Sequence, residues 1–264
     1  MENSFIHKTD ALILCLFLFI AMLLLFQLGR ITEKNWKQEE SEPKGISFLL
    51  TAIFGLSAFI LAFTFGMSAS RYSNVRDLII EEANNIGTAL LRSNLYSDSL
   101  NDAFRADFKK YIDARISFYD HLSNEGLLNK AKLDAEKART DLWQRAAQQS
   151  KQPNMLIPSN NMIPALNSMF DIATTIEITL YARVPDLVIY MLFILGLVTS
   201  FIGGYASRDI RKKDWIIIVA FALFSSMVTY ITLDLGRPMR GIIKGNIGVQ
   251  AIIDVSKSLG YPAN

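Results

Sequence analysis

Five charged side chains stand where long apolar runs of this sequence begin or end, and they are its clearest candidates for chemistry. They are Arg71, Arg76, Arg183, Asp234 and Arg237. A charge in this position can anchor a helix at a membrane surface, with its stem along the apolar region and its head in water. In a closed assembly of several chains, the same charges would form the mouth of a pore and act on ions. Both interpretations involve lipid or ions and no bond-breaking chemistry.

The residue sets on which catalysis depends are missing from the sequence. It has no HExxH, GxSxG, Walker or CxxC motif, and its single cysteine, Cys15, lies within an apolar run. His7 and His121 are far apart in the chain, and the adjacent Glu81 and Glu82 point to different sides of a helix. We therefore predict that the protein is not an enzyme and holds no metal or cofactor. The formal net charge of +2 gives no electrostatic basis for binding nucleic acid.

Four long apolar runs determine the class of the protein. Each is long enough to cross a hydrocarbon core of roughly 30 Å as a helix. The composition agrees, since 51% of the residues are hydrophobic and the mean hydropathy is +0.24. We predict an all-α integral membrane protein in a lipid bilayer, with four transmembrane helices at about 11–28, 46–70, 187–206 and 215–233.

The chain between the second and third spans is polar, and its pattern is helical. From Leu100 to Phe118, apolar side chains recur at steps of three and four, with Arg115 as the exception in that stripe. The segment 151–164 contains three prolines and predicts a loop. We thus predict a first transmembrane helix pair, a soluble helical domain inserted between spans two and three, a second transmembrane helix pair and a polar C-terminal tail. These four parts cover 1–70, 71–183, 184–236 and 237–264.

The second span is predicted to be the centre of helix packing. It continues without a proline past Arg71, so we predict one long helix that leaves the membrane there. One side carries small residues, which let another helix approach closely in lipid, and the opposite side is predicted to carry phenylalanines. The third span repeats the small side with Gly196 and Gly203. The small residues of the second span are Gly55, Ala58, Ala62 and Gly66, and its phenylalanines are Phe48, Phe59 and Phe63.

Three short segments resemble a known family. LAFTFGMSASRYSNVRDL resembles the bestrophin signature at the end of the second membrane helix. EEANNIGTALLR and LDLGRPMRG are more similar still to the bestrophin-like membrane family of unknown function, whose members share a helical insert of this size between pairs of spans. The residues that match the bestrophin signature are Leu61, Phe63, Arg71, Tyr72 and Arg76.

The resemblance implies a function. Bestrophins are oligomeric anion channels, so a homo-oligomer is expected here, with the second span lining a pore for inorganic ions. Carried over, Phe59, Phe63 and Met67 would form the apolar neck. Thr64 either lines a wet path beside them or bonds to its own helix backbone. The chain departs from true bestrophins in having no acidic calcium clasp and only a tail after the last span. The alternative function is a membrane-anchored sensor or scaffold whose helical domain binds a partner.

Basic residues in the short loops bear on orientation. Four spans put both termini and the helical domain on one side of the membrane, and Lys/Arg-rich short loops favour the cytoplasmic side. The loops after the first and third spans are basic. This pattern favours a multi-pass protein of the plasma (inner) membrane with its soluble domain and termini outside the cytoplasm, whereas bestrophins keep this region in the cytosol. The basic residues are Arg30, Lys34, Lys37, Lys44, Arg208, Arg211, Lys212 and Lys213.

Overall fold

The computed structural model describes residues 10–35, 44–181, 186–207, 214–236 and 246–258, and every regular element in these ranges is helical. A 3-10 turn, Pro153–Met155, precedes the fifth helix. The helices are α1 (Ala11–Asn35), α2 (Lys44–Ser93), α3 (Asp98–Asp120), α4 (Glu125–Gln149), α5 (Leu156–Tyr181), α6 (Asp186–Tyr205), α7 (Asp214–Leu235) and α8 (Asn246–Ser258).

The chain divides into two compact units. The first, here called the membrane unit, comprises Met1–Arg71 and Arg183–Arg237. The second, here called the soluble unit, comprises Tyr72–Ala182 and Pro238–Asn264. Four of the described helices contain stretches long and apolar enough to cross a membrane: α1, α2, α6 and α7. The predicted all-α class with four transmembrane helices is confirmed.

The second helix, α2, is a single helix of 50 residues, as the sequence predicts. No proline occurs between Lys44 and Ser93, so nothing in this stretch removes a backbone donor or clashes with the preceding turn. The helix ends in a turn at Asn94–Tyr96, and Ser97 occupies the N-cap position of α3.

Within the membrane unit, α1 and α6 meet backbone to backbone. The Ser200 hydroxyl donates a hydrogen bond of 2.5 Å to the Met22 carbonyl. A Cβ built on Gly204 would overlap the carbonyl oxygen of Phe26, and one built on Gly29 would overlap the backbone of α6. Small residues at a crossing point allow this approach, because no side chain holds the two backbones apart.

The glycines predicted to pack fall into two groups. A Cβ on Gly196 would lie 3.7 Å from Leu18 and Met22, and one on Gly203 would lie 3.2 Å from the Phe54 ring, so both glycines sit at helix contacts. In the described part of the chain, nothing lies within 4 Å of a Cβ built on Gly55 or Gly66. Among the described residues, Gly55 and Gly66 therefore have no close neighbour, and the contact of this side of α2 with another helix stays a prediction.

The soluble unit has one apolar core, to which α2, α3, α4, α5 and α8 contribute. The Arg92 guanidinium of α2 donates to the carbonyl of Asn161 in α5 at 2.6 Å. The segment predicted as a tail contributes α8, and its Ile252 is fully buried in this core. Other large members are Ile79, Ile86, Phe104, Phe108, Ile112, Phe118, Leu142, Met162 and Leu166.

The predicted loop at 151–164 is wrong for most of its length. Only the 3-10 turn precedes Leu156, and α5 then runs through Pro158 and Pro164. Pro158 lies in the first turn, where helix donors have no partner in any case. Pro164 costs one backbone hydrogen bond, but Met162 and Leu166 beside it are fully buried. Packing of the apolar side therefore outweighs the local preference of proline.

Candidate functional site

Both side-chain rows of the second span lie on one side of α2, which corrects the prediction of opposite sides. Phe59 and Phe63 are 67% and 60% exposed, and their rings stack with centroids 6.3 Å apart at an interplanar angle of 16°. The small residues are exposed as well. At 3.6 residues per turn, these spacings bring both rows to one side of the helix. We call this side the exposed face of α2: Gly55, Ala58, Phe59, Ala62, Phe63, Gly66 and Met67.

Thr64 lies away from that face. It is buried, and its hydroxyl donates to the Ile60 carbonyl of its own helix at 2.8 Å. Ser57 bonds its own helix in the same way, to the Ile53 carbonyl at 2.7 Å. Of the two interpretations of Thr64, the structure therefore has the backbone bond, and Thr64 does not share a side with Phe59 and Phe63.

A partly open cavity of about 110 Å³ lies in the membrane unit on the buried side of α2. It is lined mainly by apolar side chains from α1, α2, α6 and α7. The hydroxyls of Thr199 and Thr229 at its wall donate to carbonyls of their own helices. Since both hydroxyl protons are already donated to backbone carbonyls, these two threonines offer no donor to an ion.

The charged side chains predicted at a pore mouth have different surroundings. Arg71 is half-buried on α2, and Arg76 pairs with its neighbour Asp77 at 3.0 Å. Asp234 is buried near the end of α7. Arg183 and Arg237 lie outside the described residues. A common ring of these charges stays a prediction.

The soluble unit contains a buried group of charged and phenolic side chains centred on Glu82 of α2. Glu82 is 0% exposed and Arg115 of α3 is 1% exposed. The Arg115 Nε donates to Glu82 Oε1 at 2.5 Å, and the Tyr119 hydroxyl donates to Glu82 Oε2 at 2.5 Å. Arg115 Nη2 also donates to the Tyr119 oxygen at 3.1 Å. These three side chains form a closed triangle of charge-assisted hydrogen bonds.

Two more helices join this group. Arg115 Nη1 donates to Glu177 Oε1 of α5 at 3.2 Å, and Lys132 of α4 lies 3.2 Å from Glu177 Oε2. The Lys132 ammonium donates in addition to the Tyr181 hydroxyl at 2.9 Å. We call the set Glu82, Arg115, Tyr119, Lys132 and Glu177 the Glu82 network. It ties α2, α3, α4 and α5 together through directional bonds.

The electrostatics of the network favour its present protonation states. Burial raises the pKa of the Tyr119 hydroxyl well above its usual 10, and the Glu82 carboxylate adds to that rise. Burial, the largest single influence, would lower the pKa of the Arg115 guanidinium, but the attraction of Glu82 together with that of Tyr119 and Tyr111 outweighs it, and the net direction is upward. Arg115 therefore stays charged and Tyr119 stays a neutral donor.

Sequence reasoning missed this network, although Arg115 carried a signal. It occupies a core position in the apolar stripe of α3, where a charge is seldom buried without a partner. That position predicts an acidic partner on a facing helix. Considered with its neighbour Glu81, Glu82 gives no such signal, because adjacent side chains point to different sides of a helix.

A metal centre is not among the arrangements found. In the described ranges, no three His, Cys, Asp or Glu side chains come together in a group that could hold a metal ion.

No family model and no curated protein matches the chain. Solved structures do match it. A bacterial bestrophin homologue from Klebsiella pneumoniae superposes with a TM-score of 0.67 at 14% identity, over 92% of this chain and 98% of that one. A mutant of that homologue gives 0.68 at 14% identity, over 94% and 99%. The chain has the bestrophin fold. A third structure, described only as a membrane protein, agrees with a TM-score of 0.67 at 15% identity, over 95% and 99%.

The bestrophin fold extends over nearly the whole chain, so the bestrophin-like resemblance read from short segments is confirmed at the level of fold. It accounts for a multi-pass membrane protein with a helical insert between its second and third spans.

Proposed function

We propose that the protein is an oligomeric ion channel, selective for anions, in which α2 of each chain lines the pore. The observation that carries the proposal is the exposed face of α2, where Phe59, Phe63 and Met67 follow one another at i, i+4 and i+8 and point away from the other helices of the membrane unit. One helix cannot enclose a path, so several copies must contribute around a closed symmetry axis. The bestrophin fold supports this arrangement.

The residue types on this face suit a gate. A ring of phenylalanines makes an apolar constriction, and such constrictions can close a pore by dewetting. The small residues beside them leave room for a large side chain of the adjacent copy, because Gly55 and Gly66 have no neighbour within 4 Å in the described part of their own chain. Arg71 lies two turns beyond Phe63 on the same helix, and a ring of arginines would bias the path towards anions.

The test is ion flux in liposomes that contain the purified oligomer. We expect flux from the wild type, more flux from Phe63→Ala, and a shift towards cations in Arg71→Glu. Phe224→Ala is the matched control, because Phe224 is a similarly exposed phenylalanine of the membrane unit but lies on α7. Absence of flux from both the wild type and Phe63→Ala, in a verified oligomer, would refute the channel.

That outcome would leave the sensor or scaffold. Exposed apolar side chains on the soluble unit support it as the second candidate, since a bound partner would remove them from water. They include Leu91, Leu133 and Ile178. In either case the function proposed is not enzymatic.

We further propose that the soluble unit and the termini face away from the cytoplasm, in the plasma (inner) membrane, on the basis of the Lys/Arg-rich short loops. Ser123 is exposed in the turn between α3 and α4. In a Cys15→Ser background, Ser123→Cys should react with an impermeant thiol reagent in intact spheroplasts. Lys34→Cys, at the end of α1, should react only after lysis. The reverse pattern would put the soluble unit in the cytosol.

A further inference from the structure

We propose that the cavity of the membrane unit is a binding site for the end of a lipid acyl chain. The cavity, of about 110 Å³, lies between α1, α2, α6 and α7, and all of its lining residues belong to the membrane unit. The inference does not rest on the proposed channel, because it concerns what fills a space between the helices of one chain.

The depth of the cavity indicates which part of a lipid would reach it. Its wall includes Met22, Gly196 and Ser225, each near the middle of its helix, α1, α6 or α7. Ten residues of helix extend about 15 Å, which is half of a hydrocarbon core of roughly 30 Å. The cavity therefore lies at the level of the bilayer midplane. Lipids have their chain ends at this depth, whereas headgroups and water are half a bilayer away.

The wall of the cavity suits hydrocarbon rather than water or ions. Leu18 and Met22 of α1, which form part of it, are almost fully buried. Of the four hydroxyl side chains in the wall, three donate to backbone carbonyls of their own helices: Ser57, Thr199 and Thr229. A buried water needs about two to four polar partners, and a cavity with apolar walls stays dry.

The open side of the cavity lies between α2 and α7. Among the lining residues, Ala58 of α2 and Phe221 of α7 are exposed. The Phe221 ring meets the Phe54 ring of α2 edge to face, with centroids 5.7 Å apart. The small Ala58 side chain beside this aromatic pair leaves the space accessible from outside the helices. An acyl chain end would enter here.

Dispersion forces favour an occupied cavity. The side chains around an empty space lose their contacts on that side, and a hydrocarbon group restores them. An engineered apolar cavity of about 150 Å³ in a soluble protein binds benzene, so a space of this kind accepts a hydrocarbon group of that size. In a bilayer, the hydrocarbon present in excess at the midplane is the acyl chain. The occupant is therefore assigned as a lipid chain end.

The test is photolabelling of the full chain in phosphatidylcholine liposomes. One lipid probe carries a diazirine at the end of its acyl chain, and a second carries it next to the headgroup. Mass spectrometry after irradiation locates the label. We expect the chain-end probe to label Met22 and Leu192, which are 0% and 4% exposed and so out of reach of lipid on the outer surface. The headgroup-side probe should not label them, because its diazirine stays about 15 Å from the midplane.

Two variants of α2 form a matched pair. Ala58→Phe puts a ring at the open side of the cavity, whereas Ala62→Phe makes the same change one turn further on, at an exposed alanine outside the cavity wall. We expect Ala58→Phe to lower the labelling of Met22 and Leu192 at least about fivefold, or about 1 kcal/mol of binding free energy. Ala62→Phe should leave it unchanged. Equal labelling in Ala58→Phe and the wild type, or an equal loss in both variants, would overturn the inference.

The wild type and a milder variant decide the question if Ala58→Phe does not fold. Absence of label at Met22 and Leu192 from the chain-end probe, or equal label from the two probes, would overturn the site in the wild type alone. Thr199→Val removes a hydroxyl from the wall but keeps nearly the same shape, so it should retain the labelling. Its loss would show that a polar group holds the probe, and would overturn a hydrocarbon site. Neither measurement involves ion flux, so the outcome is independent of the proposed channel.

Discussion

In the membrane unit, helices approach closely because glycines stand at their contact, whereas in the soluble unit large side chains separate the helices. At the crossing of α1 and α6, Gly29 and Gly204 let the two backbones touch. In the soluble unit, Phe104, Phe108 and Phe118 fill the space between helices, and the Glu82 network bridges four of them. The difference follows from the solvent. Lipid tails are as apolar as the side chains, so close packing drives association there, while water drives apolar burial in the soluble unit.

The single helix α2 shows both kinds of packing. Its half in the membrane unit exposes phenylalanines and glycines together, on the exposed face of α2. Its half in the soluble unit buries Val75, Ile79 and Ile86 in the core and places Glu82 among charged partners. The one helix α2 thus has an exposed apolar surface in its first half, whereas its second half has a buried side that also forms directional hydrogen bonds.

The largest effect is expected at the α1–α6 crossing. Gly204→Ala adds a Cβ where the Phe26 carbonyl already lies, so the helices must move apart. We expect a loss of more than about 4 kcal/mol, in the range of the most damaging substitutions. Thermal unfolding in detergent measures it. Gly196→Ala is the control on the same helix, because its Cβ would meet only ordinary contacts at 3.7 Å and should change little.

The second-largest effect is expected from a substitution that breaks the Glu82 network. Arg115→Met leaves the Glu82 carboxylate buried without its charge partner, and we expect a loss of about 3 to 5 kcal/mol in the soluble unit. The double variant Glu82→Leu with Arg115→Met should recover most of it, because two apolar groups need no partner. Urea titration followed by circular dichroism measures both. A double variant as unstable as the single one would show that packing of Arg115, not its charge, matters.

A smaller effect concerns alkaline pH. The folded pKa of Tyr119 is raised above its usual 10, so the phenol stays protonated in the folded state after the unfolded one has ionised. Its contribution is therefore full below pH 10 and is lost as pH rises through the folded pKa. We expect the free energy of unfolding to fall above about pH 10 in the wild type, and to fall less steeply in Tyr119→Phe. Equal slopes would contradict this origin of the alkaline sensitivity.

The smallest effect on a single chain is expected at Gly66. Since nothing surrounds it within 4 Å in the described part of its chain, Gly66→Leu should change chain stability by less than about 0.5 kcal/mol. It should nonetheless weaken the homo-oligomer, because the added side chain obstructs close approach of another copy. Light scattering in detergent against protein concentration tests this. Wild-type assembly in that variant would remove the small residues of α2 from the proposed interface.

The sequence by itself determined the features that depend on local runs of residues. The four spans follow from the length of the apolar runs, and the unbroken α2 follows from the absence of proline between Lys44 and Ser93. The buried side of α3 follows from its spacing, since Phe104, Phe108 and Phe118 recur at helical steps and are buried. Each of these signals lies within one helix, so no knowledge of neighbouring helices is needed.

Only the tertiary structure decided which sides and which charges meet. The membrane half of α2 has no charged side, so its sequence does not show which side meets lipid, another helix or a pore. The continuation of α5 through Pro164 depends on the core that Met162 and Leu166 join. The pairing of Glu82 with Arg115 joins residues 33 positions apart on different helices. Such a contact exists only once the helices are packed. A charged residue at a core position of the sequence indicates that it needs a partner, but not which residue that partner is.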